Sequence, residues 1–212
     1  MNEIEFSFGI ITGGFNDHML SIVVDSIRKL NIPKYEIIIV GNTNVKADVN
    51  IPFDESSKPM WITKKKNIIT NSAKYNNIVY LHDYIIFDSN WYNGFKSFGD
   101  NFDVCMNVIE NFDGSRFRDW CIWDPSSFGN SGPGLIPYTV SDLSKFMYIS
   151  GSYWVAKKNI MLEFPLNESL IWGQGEDVIW SKQVSSKYNF MMNINSNVRL
   201  LKQKDVCIPT YN

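Results

Sequence analysis

The sequence predicts one α/β domain with a mainly parallel central sheet flanked by helices. Apolar runs of strand length alternate with segments of helical period through the first half of the chain. Each run ends in glycine or small polar residues, which carry turn chemistry. Strand–helix–strand units need a crossover connection and normally pair in parallel. A length of 212 residues is enough for one sizeable core.

In chain order, Phe6-Ile11 reads as a buried strand ending at Thr12-Gly13-Gly14. Asn16 or Asp17 can cap a helix whose apolar positions Leu20, Val23, Val24 and Ile27 share one face, and Pro33 closes it. Tyr35-Val40 is a second strand, ending at Gly41-Asn42-Thr43; residues 43–60 read as irregular. Thr63 is expected to cap a helix with Ile62, Lys66, Ile69 and Ala73 on one face. Ile78-Leu81 is a further buried strand running into His82-Asp83-Tyr84. A short helix over Trp91-Phe98 and a strand over Asp103-Ile109 follow. Residues 110–137, rich in Gly and Pro, read as one long loop, a length that in a compact domain points to function. Tyr148-Val155 resumes as a strand around Gly151, with a short helix near Lys157-Glu163. A helix begins at Asp177, and Phe190-Ile194 and Val198-Leu201 close the chain as two strands.

Composition narrows the function classes. A net charge of −2 gives no global basic field for nucleic acid. The longest apolar runs are far short of a membrane span, so no transmembrane segment is expected. Cys105, Cys121 and Cys207 form no metal-type or redox spacing, and residues 1–5 carry no basic flank of a secretory signal. The expectation is a cytoplasmic, reduced protein. Seven Trp, several in Gly- or Pro-rich stretches, offer flat faces that suit sugar rings or loop anchoring.

The chemistry concentrates at Trp172-Gly173-Gln174-Gly175-Glu176-Asp177, a loosened loop that delivers two acids to a helix start. Asp177, Trp180, Ser181, Val184 and Tyr188 share a face, which puts Asp177 on the inward side near the positive end of the macrodipole. An ionised, acceptor-only carboxylate there suits a general base; the plain alternative is a pair of first-turn acids held by the dipole. Lys64-Lys65-Lys66 opposes the dipole of its own helix, a cost that an anionic ligand would offset; the alternative is a solvated cluster. In open parallel sheets ligands bind beyond the carboxyl ends of the strands. Thr12-Gly13-Gly14, Gly41-Asn42-Thr43 and His82-Asp83-Tyr84 would gather there. Gly-x-Gly-x-x-Gly is absent, which argues against a nicotinamide enzyme.

Together these elements resemble the nucleotide-sugar-dependent glycosyltransferases of the GT-A fold, especially the inverting family 2-like enzymes. Lys65-Lys66-Asn67 is similar to their Ala-Arg-Asn element, and Leu81-His82-Asp83-Tyr84 stands where they carry Asp-x-Asp. The Trp172–Asp177 stretch is similar to the Trp-Gly-Gly-Glu-Asp of inverting galactosyl-type enzymes. The resemblance implies a nucleotide-sugar donor, a carbohydrate acceptor, and inversion with Asp177 as base and Glu176 beside it. It implies donor contacts from Thr12, Gly13, Asn42, Lys65, Lys66, Asn67, His82, Asp83, Gly151 and Trp172. It also implies a Mn²⁺ or Mg²⁺ ion at Asp83 and His82, although only Asp83 of that motif is a carboxylate here and no histidine follows His82. Arg116 and Arg118 are candidate diphosphate or acceptor contacts, and residues 110–137 a candidate acceptor lid. The expected division is a nucleotide-binding part over about 1–90 and an acceptor part over about 91–212 of one domain. Two other readings stay open: a sugar-1-phosphate nucleotidyltransferase, although Phe15-Asn16-Asp17 lacks the basic loop it needs, and a non-catalytic nucleotide-sugar or carbohydrate-binding module.

Overall fold

The computed structural model describes residues 3–129 and 132–211. Its first half is β1 (Phe6–Ile11), α1 (Asp17–Arg28), β2 (Tyr35–Val40), β3 (Val49–Ile51), α2 (Ile62–Ser72), β4 (Asn77–His82), β5 (Ile85–Phe87) and α3 (Trp91–Phe98). Then come β6 (Val104–Glu110), β7 (Cys121–Ile122), β8 (Gly134–Leu135), β9 (Met147–Tyr148), β10 (Tyr153–Lys157), α4 (Lys158–Glu163), α5 (Glu176–Val184) and β11 (Phe190–Leu200).

One eight-stranded sheet runs β3-β2-β1-β4-β10-β6-β11-β5. The N-terminal strands pair in parallel, β1 lying between β2 and β4. β10 then inserts antiparallel between β4 and β6, β6 and β11 are parallel, and β5 closes the far edge antiparallel. The sheet is therefore mixed, with its parallel character concentrated where the sequence shows strand–helix alternation. Every residue of β1 is buried, because both faces are covered. Phe6, Phe8 and Ile10 pack with Leu20, Val23, Val24 and Ile27 of α1 and with Trp91 and Phe95 of α3. Ile11, Ile38 and Tyr80 face Ile69 of α2 and the Trp154–Trp180 pair.

Several elements depart from the sequence reading. Thr63 does not cap α2; it lies inside the helix and its hydroxyl donates to Leu170 O at 2.7 Å, while Trp61 is at the cap. The strand expected over 148–155 is broken: β9 ends at Tyr148, and a turn closed by Tyr153 N–H to Ser150 O (3.1 Å) leads into β10. The two closing strands are one, β11, whose register to β6 shifts between Asn193 and Asn197. Residues 43–60 contain β3, and residues 110–137 contain β7 and β8, which join β9 in a small antiparallel sheet. Residues 130 and 131 of that loop lie outside the described residues. Among the described residues no helix is long and apolar enough to cross a membrane, and Cys105, Cys121 and Cys207 are all free.

Candidate active site

A cleft of about 480 Å³ opens beside the carboxyl end of β4, within the usual range for small-molecule sites. Three segments build it. The first is the turn Ser150-Gly151-Ser152 between β9 and β10. The second is the start of α5, preceded by Gly175 in the left-handed region (φ 71°). The third is the strap that follows β11, carrying Lys204, Asp205 and Cys207. Hydrogen bonds fix α5 against the turn: Ile149 N–H donates to Ser181 Oγ at 3.0 Å, and the Ser181 hydroxyl donates to Asp177 O at 2.7 Å.

Gly151 is the hub. Its N–H donates to Asp177 Oδ2 at 3.2 Å, and its carbonyl accepts from Lys66 Nζ at 2.7 Å. A Cβ at this position would meet Asp177 Oδ2 at 3.0 Å and Glu176 Oε1 at 3.3 Å, so glycine lets both acids approach without a shift. Asp177 is half-buried, and Val178 N–H donates to its second oxygen at 2.9 Å. Glu176 is the more buried acid; burial first, and the charge of Asp177 second, push its carboxyl above the usual range. Lys66 is 1% exposed, and burial pulls its ammonium down to about 8 although Glu176 and Asp177 act the other way. Its ammonium also sits 4.5 Å from the centre of the Trp154 ring. His82 lies at the cleft wall, held well below its ordinary value by burial and then by the charges of Lys66, Lys204 and Lys202, against a hydrogen bond with the Gly151 backbone. A neutral imidazole results.

Of the residues singled out in the sequence, His82, Gly151, Trp172, Glu176 and Asp177 line this cleft together, with Lys66 beneath it. Trp172 stands at the rim as a residue 54% exposed. Thr12, Lys65 and Asp83 form a neighbouring cluster: the Thr12 hydroxyl donates to Asp83 Oδ2 at 2.6 Å, and Lys65 Nζ donates to Thr12 O at 2.6 Å while pairing with Glu55. Gly13 is in the exposed turn after β1, and Asn42 lines a separate hollow at the ends of β1 and β2. Asn67 is committed to Leu166 and Glu168, through Nδ2 to Leu166 O (2.9 Å) and Glu168 Oε1 (3.0 Å). The three lysines therefore do not point at one anion, and only Lys64 keeps a solvent-exposed side chain. Lys64 binds Glu168, Lys65 Thr12 and Lys66 Gly151, because consecutive helical residues point about 100° apart. Arg116 is spent on Asp119 at 2.7 Å, whereas Arg118 lines the cleft. Lys204 is absent from the sequence-derived set, and the only sign of it was a pair of lysines after the last strand.

Among the described residues no three His, Cys, Asp or Glu side chains are grouped as a metal site. Asp83 holds the Thr12 hydroxyl, and the imidazole of His82 lies in the positive field of Lys66, Lys204 and Lys202, which opposes a cation. These residues do not fit a resident Mn²⁺ or Mg²⁺ ion.

The architecture and the placement of the cleft define the class of fold: it is that of the GT-A glycosyltransferases. The crystal structure of GalNAc-T7 with UDP, GalNAc and Mn²⁺ superposes with a TM-score of 0.69 at 15% identity, over 96% of this chain and 45% of that one. S. aureus TarS 1-349 in complex with UDP gives 0.64 at 13% identity, over 93% of this chain and 61% of that one. The chain thus spans about half to three-fifths of the length of these two structures. No protein-family model and no curated protein matches the sequence. At such identities the likeness is one of fold, and function must be argued from the site.

Proposed function

We propose that the protein transfers a sugar from a nucleoside diphosphate sugar to a carbohydrate hydroxyl, with inversion and with Asp177 as base. The observation that carries this reading is the Asp177 carboxylate, fixed by the Gly151 N–H yet half-open to a cleft of ligand size. An ionised carboxylate accepts protons only, which is what an attacking hydroxyl requires of its partner. The acceptor oxygen attacks the anomeric carbon from the face opposite the diphosphate. Its proton passes to Asp177, and the bond to the diphosphate breaks. Glu176, its carboxyl pushed above the usual range by burial, lines the same cleft and is placed to hydrogen-bond the acceptor. The open face of Trp172 gives a sugar ring an apolar platform. UDP in the GalNAc-T7 and TarS structures supports a uridine donor as the first to test. The three free thiols, two of them buried, support a reducing, cytoplasmic setting.

The test is a panel of UDP- and GDP-sugars with and without Mn²⁺, followed by thermal shift and by release of nucleoside diphosphate. A donor at 100 times its dissociation constant should add about 2.7 kcal/mol, roughly 5–10 °C for a chain of this size. Slow release of nucleoside diphosphate is expected from the donor that shifts. A shift without turnover would favour the non-catalytic module, and no shift with any donor would end the donor-site reading.

A further inference from the structure

We propose that Lys204, with Arg118 beside it, receives the charge of the leaving diphosphate in place of a metal ion. The inference deepens the transfer reading above and rests on it. Lys204 belongs to the strap after β11, and its position is fixed at the backbone. Lys204 N–H donates to Asn111 Oδ1 at 2.8 Å, and Asn111 Nδ2 returns a bond to Lys204 O at 2.5 Å. Asn111 itself is 1% exposed, so the clamp is built into the core.

The side chain of Lys204 points to neutral partners, donating to Tyr84 Oη at 3.1 Å and Ser152 Oγ at 3.4 Å. Arg118 donates its Nε–H to Val206 O at 2.5 Å, which turns the guanidinium along the same strap. Among the described residues neither cation has a carboxylate within 4.0 Å, so their charge is left for a ligand. Asp205 also lines the cleft, but it is turned to the strap, where its Oδ1 accepts from Cys207 N–H at 3.0 Å. Lys202, 4.0 Å from the centre of the Tyr84 ring, adds a third positive charge at the same wall.

Lys204 and Asp177 reach the cleft from the two sides of a single chain segment, the Gly151-Ser152 turn. Gly151 N–H touches Asp177 and the next residue, Ser152, touches Lys204, so one turn carries both the base and the cation. When the bond from the anomeric carbon to the diphosphate oxygen breaks, its electron pair stays on that oxygen. The new bond joins the anomeric carbon to the acceptor oxygen, whose proton goes to Asp177. The extra negative charge on the diphosphate then meets two fixed cations in a partly desolvated cleft, where such groups need no reorganisation.

The test is calorimetric binding of inorganic pyrophosphate and of UDP, each in EDTA and in Mn²⁺, to wild type, Lys204→Met and Lys204→Arg. Both probes are expected to bind wild type in EDTA within about twofold of their affinity in Mn²⁺. Lys204→Met should weaken both by at least ~10-fold at an unchanged melting temperature, and Lys204→Arg should restore most of the loss. Binding that needs Mn²⁺, or wild-type affinity in Lys204→Met, would overturn the inference and leave the donor site standing. Failure of UDP and pyrophosphate to bind under either condition would overturn both.

Discussion

At the scale of single residues, Gly151 joins the two acids, the buried lysine and the neutral histidine through one backbone unit. Gly151→Ala would place a methyl group 3.0 Å from Asp177 Oδ2, so the carboxylate must give way by a few tenths of an ångström. Displacements of that order at a reacting group lower turnover, here by roughly 10-fold, with little change in melting temperature; steady-state kinetics beside a melting curve checks this. Lys66 makes a different prediction. Its folded-state value is depressed to about 8 from an ordinary 10.5, so between these pH values the unfolded chain holds more protons on Lys66 than the folded one. Stability relative to Lys66→Met must therefore rise as pH rises through that window, by up to about 3 kcal/mol, which urea unfolding at pH 7.5 and 10 measures. The glycine-loosened helix start marked the Glu176-Asp177 pair in the sequence but left a pair of ordinary first-turn acids as an equal reading, because only the fold brings Gly151 against them. Lys204 was not legible, because its place depends on the Asn111 clamp, a contact across 93 residues of chain.

At the scale of elements, β1 and α2 meet without a side chain between them at Gly9. A Cβ there would lie 2.1 Å from Ile69 Cγ2, inside a core packed on both sides. Gly9→Ala is expected to destabilise the fold by ~1–3 kcal/mol in chemical denaturation, as overpacking does. The N-terminal elements were legible because each carries its own period, and α1 its own cap: Asn16 does accept from Met19 N–H at 2.9 Å. Where tertiary partners decide, local pattern misled. Thr63 has the chemistry of a cap but is drawn to Leu170, one of several bonds by which α2 holds residues 166–170, just before the Trp172–Asp177 loop. β7, β8 and β9 are two residues each, too short to show a period of two.

At the scale of the whole molecule, the parallel half of the sheet supplies the floor at β4, while the turn before β10, α5 and the strap supply the polar lining of the cleft. Sequence order cannot reveal that β10 inserts antiparallel between β4 and β6, because no local feature of Tyr153–Lys157 records its neighbours. That insertion sets the turn at Gly151 beside His82 and brings Asp177 to the cleft. In the proposed reaction the assembled cleft transfers sugars through that carboxylate. The most direct measurement is turnover of the donor identified by thermal shift, wild type against Asp177→Asn, with donor affinity measured on the same samples. Loss of a general base predicts turnover reduced by ~100-fold or more with donor affinity and melting temperature nearly unchanged. Near-wild-type turnover in Asp177→Asn would contradict it.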